Sequence, residues 1–356
     1  MVTVHGLARL ALVALATTML PACGTMYLAQ AARGQWQVMH AREPIDEVIA
    51  ARTTPEDLRA RLTEVRAARQ FASKELALPD NASYRSYADI KRPYVVWNVV
   101  AAPEFSVQPR RWCFPIAGCV AYRGYFSESS ARKFAMNLSD RGLDVFVGGV
   151  PAYSTLGKLS DPVLSTMLGY GNNELVAIIF HELAHQVVYV PGDSEFNEAF
   201  AVTVEETGLE RWLKAQGREG DLVRYKTRRQ RQQQYIAAFA RTRARLADLY
   251  DEKIPVDEMR SRKQAELDAL TKEVRVLDAG FGVRSGYNEW IERGLNNAHL
   301  VSVATYYDCM PGFERLLAVH NGNLTQFYAT VRELARKPRT ERHRQLCTTQ
   351  PEEDLR

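Results

Sequence analysis

Apolar residues recur at helical spacing through residues 26–76, in "MYLAQAARGQWQVMHAR", "PIDEVIA" and "TPEDLRARLTEVRAARQFASKEL". Thr54-Pro55-Glu56-Asp57 reads as a helix start, with Thr54 as the cap and Pro55 at the first helical position. Pro79-Asp80-Asn81 breaks this pattern. From Tyr94 onward the runs become β-branched and aromatic: "YVVWNVVAA", "VAYRGYF" and "DVFVGGVPAYST" predict strands, with a helix near 128–141 between the last two. Residues 172–215 predict two helices about a break at Pro191-Gly192-Asp193, the second capped by Asp193 or Ser194. Residues 218–277 are charged, rich in Arg, Gln, Ala and Leu, and turn at Asp251–Pro255, which predicts a long antiparallel helical hairpin. Short apolar helices return over 288–337. The class is α+β, mainly helical, with a small mixed sheet.

Composition narrows this little. In 356 residues, 46% are hydrophobic and 25% charged, the proportions of a folded globular chain. A net charge of +4 gives no reason to expect nucleic acid as a partner. The charge is concentrated, however, in "RYKTRRQRQQQ" within 224–245. Such a run is either a solvated helix face or a docking surface for an acidic partner or membrane headgroups.

The N-terminus places Arg9 before an apolar run from Leu10 to Leu20, then Pro21-Ala22-Cys23. The run is too short to span a bilayer and has the layout of a secretory signal. Its Leu-x-Ala-Cys ending resembles the lipobox of bacterial lipoproteins, which implies removal of residues 1–22 and lipidation of Cys23. Gly24 resembles the sorting pattern for the outer membrane. An exported chain can keep disulfides. Cys113 and Cys119 bracket a turn-like "FPIAG"; pairing them leaves Cys309 with Cys347, one of three possible pairings.

The candidate chemistry lies in "AIIFHELAHQVVYV", residues 177–190, where three ionisable groups interrupt an apolar helix. Burying them is costly unless something satisfies them. His181 and His185 are four residues apart and project from one helix face, the separation that two ligands of one tetrahedral ion require. With Glu182 they form H-E-x-x-H, the zinc-peptidase signature, in which the glutamate takes a proton from water. Among seven histidines in 356 residues, a chance match is on the order of one in a hundred.

Catalytic zinc keeps three protein ligands. Downstream, "EFNEAFAVTVEE" offers Glu195, Glu198, Glu205 and Glu206. Asn197-Glu198-Ala199-Phe200-Ala201 resembles the N-E-G-F-A segment of the aminopeptidase-N family, which makes Glu198 the ligand. Twelve residues separate His185 from Glu198, fewer than that pattern has; Glu205, with nineteen between, is the alternative. A donor to the reaction's oxyanion is sought in "NNAHLVSVATYYDCMPGFERLL": His299, Tyr306 and Tyr307, with Tyr306 preferred as the catalytic group. The glycines Gly148 and Gly149 would let a substrate backbone approach a sheet edge.

Taken together, "AYRGYF", "GLDVFVGGVPAYSTLG", "SDPVLSTML", "FHELAHQ", "FNEAFA" and "NNAHLVSVATY" occur in the order seen in a family of bacterial lipoproteins described as predicted aminopeptidases. That family resembles a divergent branch of the gluzincin zinc peptidases. The resemblance runs from the lipobox through Tyr328; Lys158 stands where an aromatic is expected. It implies a zincin-like catalytic core and one zinc ion at His181, His185 and Glu198, with Glu182 as base. The expected organisation is a signal over 1–22, an N-terminal helical region over 23–90, the catalytic core over 91–216, the hairpin over 217–278, and a region over 279–356 that completes the active site. The expected function is hydrolysis of peptide or protein substrates, as an aminopeptidase, at the periplasmic side of the cell envelope. Alternatives are an envelope scaffold with a structural or vestigial zinc, and an amidase of peptidoglycan peptides.

Overall fold

A computed structural model describes residues 22–114, 118–307 and 309–347, without the side chains of 22–25 and 305–307. Cys23 and Tyr306 therefore have a described backbone, each within a helix, but their side chains lie outside the described residues.

The N-terminal third is helical: α1 (Ala22–His40), α2 (Ile45–Ala50) and α3 (Glu56–Glu75), with the short strand β1 (Arg42–Pro44) between the first two. Pro55 is the residue that precedes α3, and Thr54 does not cap it; the Thr54 hydroxyl donates instead to Val48 O at 2.6 Å. Two three-stranded sheets follow. In the first, β2 (Ser86–Ala88) joins β1 antiparallel and β8 (Val163–Leu164) parallel. In the second, β3 (Val96–Pro103) is central between β6 (Tyr122–Tyr125) and β7 (Leu143–Val150), both antiparallel to it. The hairpin of β4 (Trp112–Phe114) and β5 (Gly118–Val120) is crossed by the Cys113–Cys119 disulfide.

Strand alternation explains how the central sheet is covered. Trp97, Val99 and Ala101 point to one face and pack with Ala131, Ala135 and Leu138 of α4 (Glu128–Ser139). Val100 and Ala102 point to the other and meet Ala298 and Val301 of α10 (Asn297–Tyr307), with Tyr122 and Phe146 at the margin. Buried on both sides, β3 reads as a nearly continuous apolar run.

The largest core surrounds α5 (Asn172–Val187) and α6 (Ser194–Ala215). Both helices are buried almost all round. The core takes Leu62, Val65 and Ala72 from α3, and Phe313, Phe327 and Tyr328 from α11 (Met310–Val319) and α12 (Leu324–Arg336), so elements from both ends of the chain enclose the pair. The long hairpin is α7 (Glu219–Tyr250) and α8 (Val256–Phe281), with its own core against α9 (Tyr287–Arg293) and α10. Its basic run is matched inside the chain. Of its five cations, Arg224 pairs with Asp221, Lys226 with Glu210, Arg228 with Glu174 and Arg229 with Glu206, while Arg231 lies over the Phe281 ring, so that three of the five tie α7 to α5 and α6. No helix among the described residues is long and apolar enough to cross a membrane.

The α5–α6 crossing is tightest at Gly208, where a Cβ would lie 2.9 Å from the Phe180 ring and 2.8 Å from Leu76 Cδ1. Phe180 directly precedes His181 and is fully buried. Gly208→Val should destabilise the fold by about 1–3 kcal/mol, the cost of overpacking a filled core. The check is the urea midpoint; an unchanged midpoint would mean the crossing is looser than described.

Candidate metal centre

The two buried helices answer the question posed by the ionisable groups in the apolar run: they face one another. α5 delivers His181 and His185 from successive turns, their rings edge-on with centroids 4.8 Å apart. α6 delivers Glu198 from its second turn. Glu198 Oε2 lies 3.3 Å from His181 Nε2 and 3.7 Å from His185 Nε2, so one oxygen faces both ring nitrogens. These three residues offer ligand atoms that all lie within 4.8 Å of one another, a group able to hold a metal ion.

Glu205 sits elsewhere. Two turns along α6, its Oε2 meets His181 Nδ1 at 3.0 Å, on the far side of the ring from Glu198. A carboxylate there fixes the tautomer and direction of an imidazole whose other nitrogen is the ligand. The structure thus separates the two glutamates that sequence spacing left open. His185 has no such partner: its buried Nδ1 has no hydrogen bond among the described residues.

The electrostatics follow from burial. Glu182, 8% exposed, has its carboxyl pushed up by burial, partly offset by the two histidines. Burial also opposes charge on Glu198 and His181, but their mutual hydrogen bonds win: Glu198 is brought down to about 2, and His181 is held well above its usual range by Glu198 and Glu205. Proton-sharing among these donors does what a cation would do, and the donor set of two imidazoles and a carboxylate suits zinc.

Several expected residues are placed away from this centre. His299 is buried between Phe146 and Trp290, with burial pushing it down to about 4, and its Nδ1 lies 2.9 Å from Asn296 Oδ1. It is a packed, neutral imidazole. β7 is an edge strand, and its glycines take aromatic rings on the sheet faces: the Tyr94 ring lies against Gly149, and a Cβ on Gly148 would be 2.9 Å from the Phe146 ring. Small residues are needed there to accept aromatic rings. Glu195, one of the glutamates offered as a ligand, faces Arg339 at 3.3 Å.

Two tyrosines not singled out from sequence do reach the centre. Tyr189 lies just past the end of α5, and its ring centroid is 6.4 Å from that of His185. Tyr122, on β6, is raised well above the usual phenol range by burial and then by the charges of Glu198, Tyr189 and Glu182. Helical spacing does not reach Tyr189, which follows the end of the helix, and nothing local points to Tyr122.

Comparison with known proteins agrees with the site's type. A model of the family described as "Putative aminopeptidase" matches residues 26–346, and the chain belongs to that family. No curated protein and no solved structure matches it.

The charge pairing has a pH signature in metal-free protein. Glu198 at about 2 lies below its ordinary 4.5, so its pairing adds stability that is complete above pH 4.5 and lost as pH falls toward 2. His181, held above 6.5, adds stability that is complete below 6.5 and lost only as pH rises through its elevated value. After chelation, Glu198→Gln should flatten the acid limb of the urea midpoint between pH 4.5 and 2. An acid limb identical to wild type would rule out the pairing as its source.

Proposed function

We propose that this member of the aminopeptidase family is a zinc-dependent peptidase with a zincin-like core, anchored to the envelope membrane through lipidated Cys23. One observation carries the catalytic reading: Glu182, a buried carboxylate with no ligand duty, stands beside three donors that converge on one point. A purely structural metal site needs the ligands alone.

His181 Nε2, His185 Nε2 and Glu198 Oε2 are the atoms that would hold the ion, with Glu205 orienting His181 through Nδ1. When bound, zinc would supply a Lewis acid that polarises the scissile carbonyl and acidifies water. Glu182, whose carboxyl burial pushes up against the pull of the two histidines, takes the proton of the attacking water and passes it to the nitrogen of the leaving amine. The apolar walls of α5 and α6 limit water around that transfer and strengthen each charge within. Tyr122 and Tyr189, whose phenols feel the Glu198 charge, are the candidate donors to the oxygen that becomes negative. Support for the anchor comes from the apolar run before Cys23 and from the exposure of Met26 and Leu28 within two turns of that residue on α1.

The experiment is metal analysis with a peptide library. Wild type should hold one zinc per chain and release N-terminal residues. His181→Ala should lose the zinc; Glu182→Gln should keep it and lose about 10²–10⁴-fold in kcat. Full activity in Glu182→Gln would refute the mechanism, and internal cleavage would replace the aminopeptidase reading with an endopeptidase.

A further inference from the structure

The helix that carries Glu198 begins at a buried charge whose partners come from the other end of the chain. Asp193 is 1% exposed and caps α6, its side chain accepting from Phe196 N at 3.4 Å. Its second oxygen, Oδ2, accepts from Arg342 Nε at 3.0 Å and Nη2 at 2.7 Å. His343 Nε2 lies 2.7 Å from Oδ1, and Arg339 Nε lies 3.6 Å from the same atom. All three cationic or ring groups belong to α13 (Arg339–Leu346). The Arg342 guanidinium also lies 5.5 Å from the centre of the Phe196 ring, two residues before Glu198.

α13 cannot hold this position by its own burial. It has eight residues, of which only Arg342 and Leu346 are buried. Helices this short are unstable alone. What ties it down is the next residue: Cys347 is bonded to Cys309, beside α11, and a Cβ on Gly312 would run into the Leu346 backbone. The covalent tether and the charge cluster are separate observations that meet at the start of α6. From Asp193 to Glu198 is about 7–8 Å of rigid helix, so movement of the cap moves the carboxylate.

We propose that α13, tethered by Cys309–Cys347, positions the metal-ligand helix through Arg342 and His343, and so sets the affinity of the site for its metal. Arg342 and His343 are positioning residues; they act on Glu198 through Asp193. This inference rests on the metal-centre reading above.

The test measures zinc affinity by competition with a chromophoric chelator, and hydrogen exchange of the amides of 194–198, in the full chain. Arg342→Leu should weaken zinc binding about tenfold, the low end of what loss of a ligand's direct hydrogen-bond partner causes, because Arg342 acts one step further out through Asp193. Exchange at Phe196 and Asn197 should rise by a similar factor, and Arg342→Lys should recover most of both. Should Arg342→Leu fail to fold, the double variant Cys309→Ser/Cys347→Ser carries the test, because every charge stays in place; it should move both readouts the same way. Zinc affinity within twofold of wild type in the variants that fold, whatever the change in Tm, would overturn the proposal while leaving the metal centre intact. A wild-type chain that binds no zinc would overturn both.

Discussion

Everything in this fold answers to one constraint: four ionisable side chains sit inside the most buried pair of helices. Glu182, His185 and Glu198 are each 8% exposed, and His181 lies among them. An isolated charge in such a place costs several kcal/mol after relaxation, so the group must neutralise, pair or bind an ion. Here the donors are arranged so that one point between them satisfies three at once. Glu182 is coupled by charge to all three without being one of them. A helix pair buried all round is what allows this, because it excludes the water that would otherwise weaken each interaction.

The surrounding architecture serves to keep that pair in register. α3 supports α5 from one side, and the C-terminal helices grip α6 through Phe196, Phe200, Phe313 and Phe327. The basic face of α7 closes the back, with Arg228 reaching Glu174 at the start of α5 and Arg229 reaching Glu206 beside Glu205. A run of arginines that looks like a docking surface in one dimension thus also serves as the means by which the hairpin attaches. The central sheet contributes Tyr122, whose phenol feels the charges of Glu198 and Glu182.

Much of this was legible in the sequence, and the rest failed for identifiable reasons. The helices around Pro191-Gly192-Asp193, the hairpin turning near Asp251–Pro255, and the strands within "YVVWNVVAA" and "DVFVGGVPAYST" each carry enough residues for a period to register. Strands of two or three residues, such as Ser86–Ala88 and Val163–Leu164, do not. H-E-x-x-H announces its chemistry because its geometry is local to one helix. The separation of Glu198 from Glu205 depends on how α5 and α6 cross, which spacing cannot give. Tyr122, and the contact of Asp193 with Arg342, join segments far apart in the chain and leave no local mark. Gly148 and Gly149 also make room for the rings of Phe146 and Tyr94 from the same chain.

The short connection between the two helices is the last piece of the same logic. Only residues 188–193 lie between α5 and α6, and a six-residue link has little freedom to let the second helix drift. Asn197, the residue before Glu198, spans it with two bonds at 2.8 Å, accepting from Val190 N and donating to Val190 O. Gly192, at φ +83, makes the reversal that a side chain would resist, and the disulfide-crossed β4–β5 hairpin packs Gly118 against it. Asp193 then caps α6 and carries the link to α13. Four fixed points in so short a segment place the carboxylate of Glu198 by backbone geometry, before any ion contributes. A longer connection would need the metal itself to choose the position. Here the chain has chosen it, which is why Glu198, and not the better-spaced Glu205, stands opposite both histidines.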